Sequence, residues 1–204
     1  MKNVIKNKFN KEMIVYAIAE PDTGHVALNC STIRKCVELG KKVLFYSLDQ
    51  PEDRMTKRIG LNDNTNLLIK DKLVNNLEEI NNTIDSFKPD LVIIDYFMLL
   101  TRDTKVEDIF VLNRIAKEHN IPFIVVTHLS STDNKGLDFS NVTYEEFKEA
   151  NFKSTPLIEE ADRLMLFYKK SETEYMVREL KNNFTETPQW FSRPSVFDIR
   201  DLLN

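Results

Sequence analysis

The sequence predicts an α/β fold, a mostly parallel sheet flanked by helices with antiparallel strands at its C-terminal edge. Three observations carry this expectation. Short, almost wholly apolar runs recur at residues 13–19 (MIVYAIA), 42–48 (KVLFYSL), 91–95 (LVIID) and 121–127 (IPFIVVT). Runs without alternation are the pattern of strands buried on both faces. Amphipathic helical patterns lie between them, which gives the strand–helix alternation of a parallel sheet. From Arg163 the pattern changes to strand, turn, strand: RLMLFY, then EYMVREL, then the turn pair Asn182-Asn183.

The elements follow in order. After the first strand comes the turn-like EPDTG and a helix with Val26, Cys30, Ile33 and Val37 on one face, stopping at Gly40. The second strand is followed by Pro51 in the first turn of a short helix that ends near Gly60. Residues 67–69 (LLI) are a brief strand, and the next helix carries Val74, Leu77, Ile80, Ile84 and Phe87 before Pro89 closes it. The strand 91–95 ends in a carboxylate, residues 106–119 are helical, and 121–127 is the next buried strand. Residues 130–156 form a polar irregular stretch with a short helix near Glu145, and a last segment spans 190–199. With no internal repeat, residues 13–204 read as a single domain behind an N-terminal tail, 1–12.

Composition narrows the function classes. Against 28 basic residues stand 32 acidic ones, a net charge of −4. A protein held on nucleic acid by bulk electrostatics usually carries a basic face instead. DNA contact is a weak expectation, confined to local groups such as Arg34/Lys35/Lys41/Lys42 and Arg54/Lys57/Arg58. No apolar run approaches the length of a membrane span, and the polar start MKNVIKNKFNKE lacks the apolar core of a signal peptide. A cytoplasmic protein is expected. Cys30 and Cys36 lie about 240° apart around a helix, which points to packing and not to a zinc site. The chain has only four glycines, so a phosphate-binding loop must use Gly24, Gly40, Gly60 or Gly136.

In open α/β sheets ligands bind at the carboxyl ends of the strands, and four of those ends carry polar residues. They read Ala19-Glu20-Pro21-Asp22-Thr23-Gly24-His25-Val26, Ser47-Leu48-Asp49, Asp95-Tyr96 and Thr127-His128-Leu129. That set, in that order, resembles the C-terminal motor domain of DnaB-type replicative helicases, among the RecA-like P-loop ATPases. The family's phosphate loop A-x-P-x-x-G-K-[ST] is matched by AEPDTGHV, and its S-L-E strand end by Ser47-Leu48-Asp49 ahead of PEDRMTKRI. Its hydrophobic-I-D-Y metal strand is matched by VIIDY, and its S-Q-L sensor by Thr127-His128-Leu129. KEANFKSTPLIEEAD corresponds to the family's ESGSIEQDAD-like text, and its K-Q-R-N-G hairpin to Glu179-Leu180-Lys181-Asn182-Asn183. The resemblance runs from about residue 13 to 199.

The resemblance implies a RecA-like P-loop fold and assigns site residues. Pro21, Gly24, His25 and Val26 form a degenerate phosphate loop (Walker A). Asp49 stands for the water-activating glutamate, Asp95 for the metal carboxylate, His128 for the phosphate sensor and Lys181 for the trans-acting arginine. Pro21, Gly24 and Asp95 keep the family's residue, and the others depart from its chemistry. In a phosphate loop, backbone N–H groups and a helix N-terminus hold the anion, a lysine contacts the outer phosphates and a hydroxyl ligates magnesium. Here lysine becomes His25, mostly neutral at pH 7 with an unperturbed pKa of about 6.5, and the hydroxyl becomes Val26. Glu20 and Asp22 add negative charge to the loop. Glu179 replaces the hairpin lysine, and Lys181 lacks the planar bidentate fork of arginine. The family's collar domain and linker helix have no counterpart before Met13, and the segment after Asp95 is about two helical turns shorter than its first DNA-contacting loop.

The expectation is a pseudo-ATPase: a non-catalytic interaction or regulatory protein of DNA replication or recombination, acting through the inherited subunit interface. Its partner would be a replicative helicase or another RecA-like ATPase, with no cofactor. The alternative is a divergent DNA helicase-like ATPase that keeps ATP and Mg2+, with Asp49 as base and Asp95 on the metal. Locally, His25 is expected to satisfy backbone groups at a helix start, His128 to be a structural or residual sensor residue, and His119 to be an exposed last-turn residue.

Overall fold

The computed structural model describes residues 13–62, 64–130, 136–171, 174–183 and 190–191. The expected tail 1–12 and most of the last segment lie outside the described residues. The first apolar run forms β1 (Met13–Ile18), buried along its whole length. It is flanked on both sides by parallel partners, β5 (Phe123–His128) and β6 (Arg163–Lys169). Its two faces pack into separate apolar clusters, Met13, Val15 and Ala17 in one and Ile14, Tyr16 and Ile18 in the other, which is why its sequence does not alternate.

The other strands are β2 (Val43–Ser47), β3 (Leu67–Lys70), β4 (Leu91–Asp95), β7 (Tyr175–Asn182) and β8 (Trp190–Phe191). Their order across the sheet is β3-β2-β4-β5-β1-β6-β7-β8. The pairs from β3 to β6 are parallel, and β7 and β8 close that edge antiparallel. This order sets the ends of β2, β4, β5 and β1 side by side. The four polar strand ends of the sequence are therefore neighbours on one edge.

Two cores cover the sheet. On one face Ile14, Tyr16, Ile18, Phe45 and Ile93 pack under α1 (His25–Glu38) and α2 (Glu52–Ile59). On the other, Val15, Ala17, Tyr46, Ile94 and Val125 meet α3 (Glu78–Phe87), α4 (Asp108–His119), α5 (Tyr144–Ala150) and α6 (Thr155–Glu160). Each of the Val, Ile and Phe side chains among them contributes about 1.5–3 kcal/mol when fully buried. Cys30 and Cys36 are free and buried, as packing residues should be. Among the described residues no helix is long and apolar enough to cross a membrane.

Several boundaries differ from expectation for local reasons. The third helix begins at Glu78, after Val74 and Leu77. Asn76 Oδ1 accepts from the Glu79 amide at 3.2 Å while Glu79 Oε2 accepts from the Asn75 amide at 3.0 Å. Those side-chain bonds hold the preceding residues in a turn that competes with helix. The polar stretch also contains α6, because Pro156 stands in the first turn of a helix and does not end an irregular segment. A bulge in β7 leaves Leu180 without a partner, since Leu164 pairs with Lys181 and Met165 with Glu179.

Candidate functional site

The loop between β1 and α1 has the backbone of an anion cradle. Gly24 adopts φ 86°, a left-handed conformation open to glycine, and its carbonyl accepts the first helical bond from the Leu28 amide at 3.0 Å. The N–H groups just after Gly24 precede that bond and have no partner within the helix. They sit at the positive end of α1.

The side chains on this backbone depart from that design. His25 is only 7% exposed, and its ring stands edge-on to His128 with centroids 5.6 Å apart. Burial, reinforced by His128, pushes its pKa down to about 4, so the imidazole is neutral at pH 7. Its Nδ1 has no hydrogen-bond partner, so His25 does not satisfy backbone groups at the helix start as expected. Val26 is half-buried and packs against the α1/α2 core. Pro21 and Asp22 are exposed, and Asp22 also takes a positive φ of 58°. The sequence reads Glu20 as added negative charge on the loop, opposing an anion there. Instead its Oε2 accepts from the Lys169 amide at 2.7 Å, which ties the loop to the end of β6.

The neighbouring strand ends complete the site. Asp95, 6% exposed, accepts from Asn29 Nδ2 at 3.1 Å through Oδ2. Burial raises its pKa to about 7, the Asn29 bond lowering it and the charge of Asp49 raising it further. The peptide between Asp95 and Tyr96 is cis. Ser47 is the β2 partner of Asp95, so Asp49, two residues on, overhangs the same edge. Asp49 is exposed, and its charge reaches His25, Asp95 and His128 alike. His128, its pKa lowered mainly by burial, packs edge-on against Tyr96 at 4.8 Å.

Gly24, His25, Asp49, Asp95 and His128 thus share one edge of the sheet. Lys181 does not join them. It pairs with Leu164 at the start of β6, the opposite end of the strands, where its Nζ donates to the Glu159 carbonyl at 2.7 Å and lies 5.8 Å from the Tyr144 ring. Glu179 turns inward, fully buried, with Oε1 2.8 Å from both Arg163 Nε and Nη2. His119 is not an exposed end-of-helix residue either. It is packed against α3, with Nε2 2.7 Å from Asn81 Oδ1 and Nδ1 3.9 Å from Asp85.

Sequence reasoning missed Asn29 and Thr23, both fully buried, each with an oxygen lacking a partner. Asn29 carried a signal: it lies three residues after Val26 and four before Ile33, a polar side chain on the apolar face of a helix. Thr23 carried none.

No family model and no curated protein matches the sequence. Solved structures do match. The ATPase domain of G40P superposes with TM-score 0.68 at 14% identity, covering 95% of this chain and 84% of that one. A DnaB-like replicative helicase, described with its interactions with primase, gives TM-score 0.67 at 16% identity over 90% of this chain and 54% of its own. A KaiC-like protein of Pyrococcus horikoshii gives 0.64 at 13% identity over 89% of this chain and 84% of its own. Likeness at such identities is likeness of fold: the chain has the RecA-like α/β fold of the DnaB-like helicase ATPase domains.

Proposed function

We propose that this helicase-like RecA-fold domain is a non-catalytic interaction protein of DNA replication or recombination. One observation carries the reading. At the phosphate-loop position where a lysine would meet phosphate stands a buried imidazole, neutral at pH 7 and committed to an edge contact with His128.

The nucleotide and magnesium that the fold implies do not fit the residues present. A hydrogen bond from a charged donor contributes roughly 1.5–3 kcal/mol, and His25 supplies no charge. Val26 offers no oxygen to a metal. Asp95 is buried and bonded to Asn29, and burial favours its protonated form over the carboxylate that would hold magnesium. Asp22 adds unfavourable charge at the rim. A frame kept while its chemistry is lost serves recognition, and a RecA-like frame is suited to docking on another RecA-like ATPase such as a replicative helicase. The test combines two measurements. Phosphate release from Mg-ATP with single-stranded DNA should stay at background, and the chain should co-migrate with its cognate replicative helicase. Turnover that His25→Ala abolishes would overturn the reading in favour of a divergent ATPase.

A further inference from the structure

We propose that the groove between α4 and α6 is a docking site for the chain's own residues 1–12, which lie outside the described residues. The groove is open, about 350 Å³, and is lined by Phe110, Asn113, Arg114, Lys117 and Glu118 of α4 with Glu160 of α6. Phe110 is 49% exposed, the only aromatic among the large apolar side chains left exposed in the described residues. The route of the chain leads to this groove. Met13 opens β1 between β5 and β6, and it is paired with Phe123. Its amide donates to Asp162 Oδ2 at 2.9 Å, and its carbonyl accepts from the Asp162 amide at 2.8 Å. Asp162 follows the end of α6, and Phe123 follows the end of α4. Residue 12 therefore leaves the sheet between the ends of those two helices, at the strand starts and away from the candidate site.

The composition of the segment suits the groove. Residues 1–12 read MKNVIKNKFNKE. On a helix Met1, Val4, Ile5 and Phe9 fall within about 140°, one apolar stripe, with Asn3, Asn7 and Asn10 opposite. Such a helix is about 18 Å long, enough to run back over the seven residues, about 10 Å, from Lys117 to Phe110. Four lysines against one glutamate make the segment basic, while the whole chain is acidic at −4, so opposite charge favours the return. The charges of the groove balance: Arg114 lies 3.8 Å from Glu118, Glu160 bonds to Asn113, and Lys117 stands at the end nearest Glu12. A free peptide of this length is a marginal helix in water. Tethered at Met13, it meets the groove at a high effective concentration.

The test uses the full chain with a nitroxide attached at Asn7→Cys, opposite the apolar stripe. Cys30 and Cys36 are 2% and 0% exposed, so the label goes to the new thiol. Paramagnetic broadening of backbone amides is then read by NMR. Strong broadening is expected at residues 110–118 of α4, and it should be lost when either Phe9→Ser or Phe110→Ser is added. Phe110 is exposed, so its replacement does not threaten the core. A mixture of spin-labelled chains without 15N and unlabelled 15N chains should show no broadening on α4. Broadening confined to the residues around Met13, broadening centred on another surface, or broadening of α4 that survives both substitutions would overturn the proposal. Broadening of α4 in the mixture would also overturn it, since the segment would then dock on a second copy.

Discussion

Replacing Glu179 by alanine tests whether the hairpin residue has been turned from the surface into the core. Glu179 is fully buried, its Oε1 lies 2.8 Å from two nitrogens of Arg163, and Asn182 Nδ2 donates to the same oxygen at 3.0 Å. Removing one partner of a buried ion pair costs about 3–5 kcal/mol, because the other charge stays desolvated. The Arg163 side chain is 10% exposed, so some water reaches it and the lower figure, about 3 kcal/mol, applies. For a domain of this size each kcal/mol moves Tm by about 2–4 °C, which gives a fall of about 6–12 °C. Glu179→Gln keeps an acceptor but not the charge and should cost less. Glu179→Leu with Arg163→Met removes both charges and should recover most of the loss, since apolar replacement of a buried pair is often neutral or better. Urea and thermal unfolding by circular dichroism measure all three. A Glu179→Ala variant within about 2 °C of the parent would show that the side chain faces solvent and that the bulged β6/β7 register is wrong.

Repair of the loop with His25→Lys and Val26→Thr should raise Mg-ATP affinity by about 10²–10⁴-fold, two interactions of roughly 1.5–3 kcal/mol each. Calorimetric titration reads it, and Glu20 must be left alone because it anchors the loop to β6. Glu20→Ala should speed hydrogen exchange at the Lys169 amide, whose acceptor it removes, and unchanged protection would contradict that anchor. Stability against pH has two opposed contributions. Asp95 titrates near 7 folded and 3.8 unfolded, so the folded state holds the extra proton and stability falls as pH rises through that window. His25 titrates near 4 folded and 6.5 unfolded, so the unfolded state holds the extra proton and stability rises from pH 4 to 6.5. Asp95→Asn should therefore leave a profile that climbs with pH, and His25→Phe one that falls. Identical profiles for the two variants would refute the assignment.

Much of the fold was legible because buried parallel strands leave unbroken apolar runs, and 13–18, 43–47, 91–95 and 123–128 all became strands. The polar residues that end four of them fell on one edge, since the sheet order makes those strands neighbours. What could not be read was direction. Glu20 read as loose negative charge on the loop and is bonded to the Lys169 amide. Glu179 looked like a hairpin-tip substitution and is a core ion pair, because spacing along a bulged strand does not tell which face a residue takes. His25 looked like a capping residue, and only the packing of β5 against β1 brings His128 to its ring.

The central claim, a RecA-like frame without nucleotide chemistry, is tested most directly by thermal unfolding of the parent chain with and without millimolar Mg-ATP. Ligand at 100 times its dissociation constant adds about 2.7 kcal/mol, which at about 2–4 °C per kcal/mol is a rise of 5 °C or more. The account predicts no shift. A saturable rise of that size, lost in His25→Ala, would contradict it.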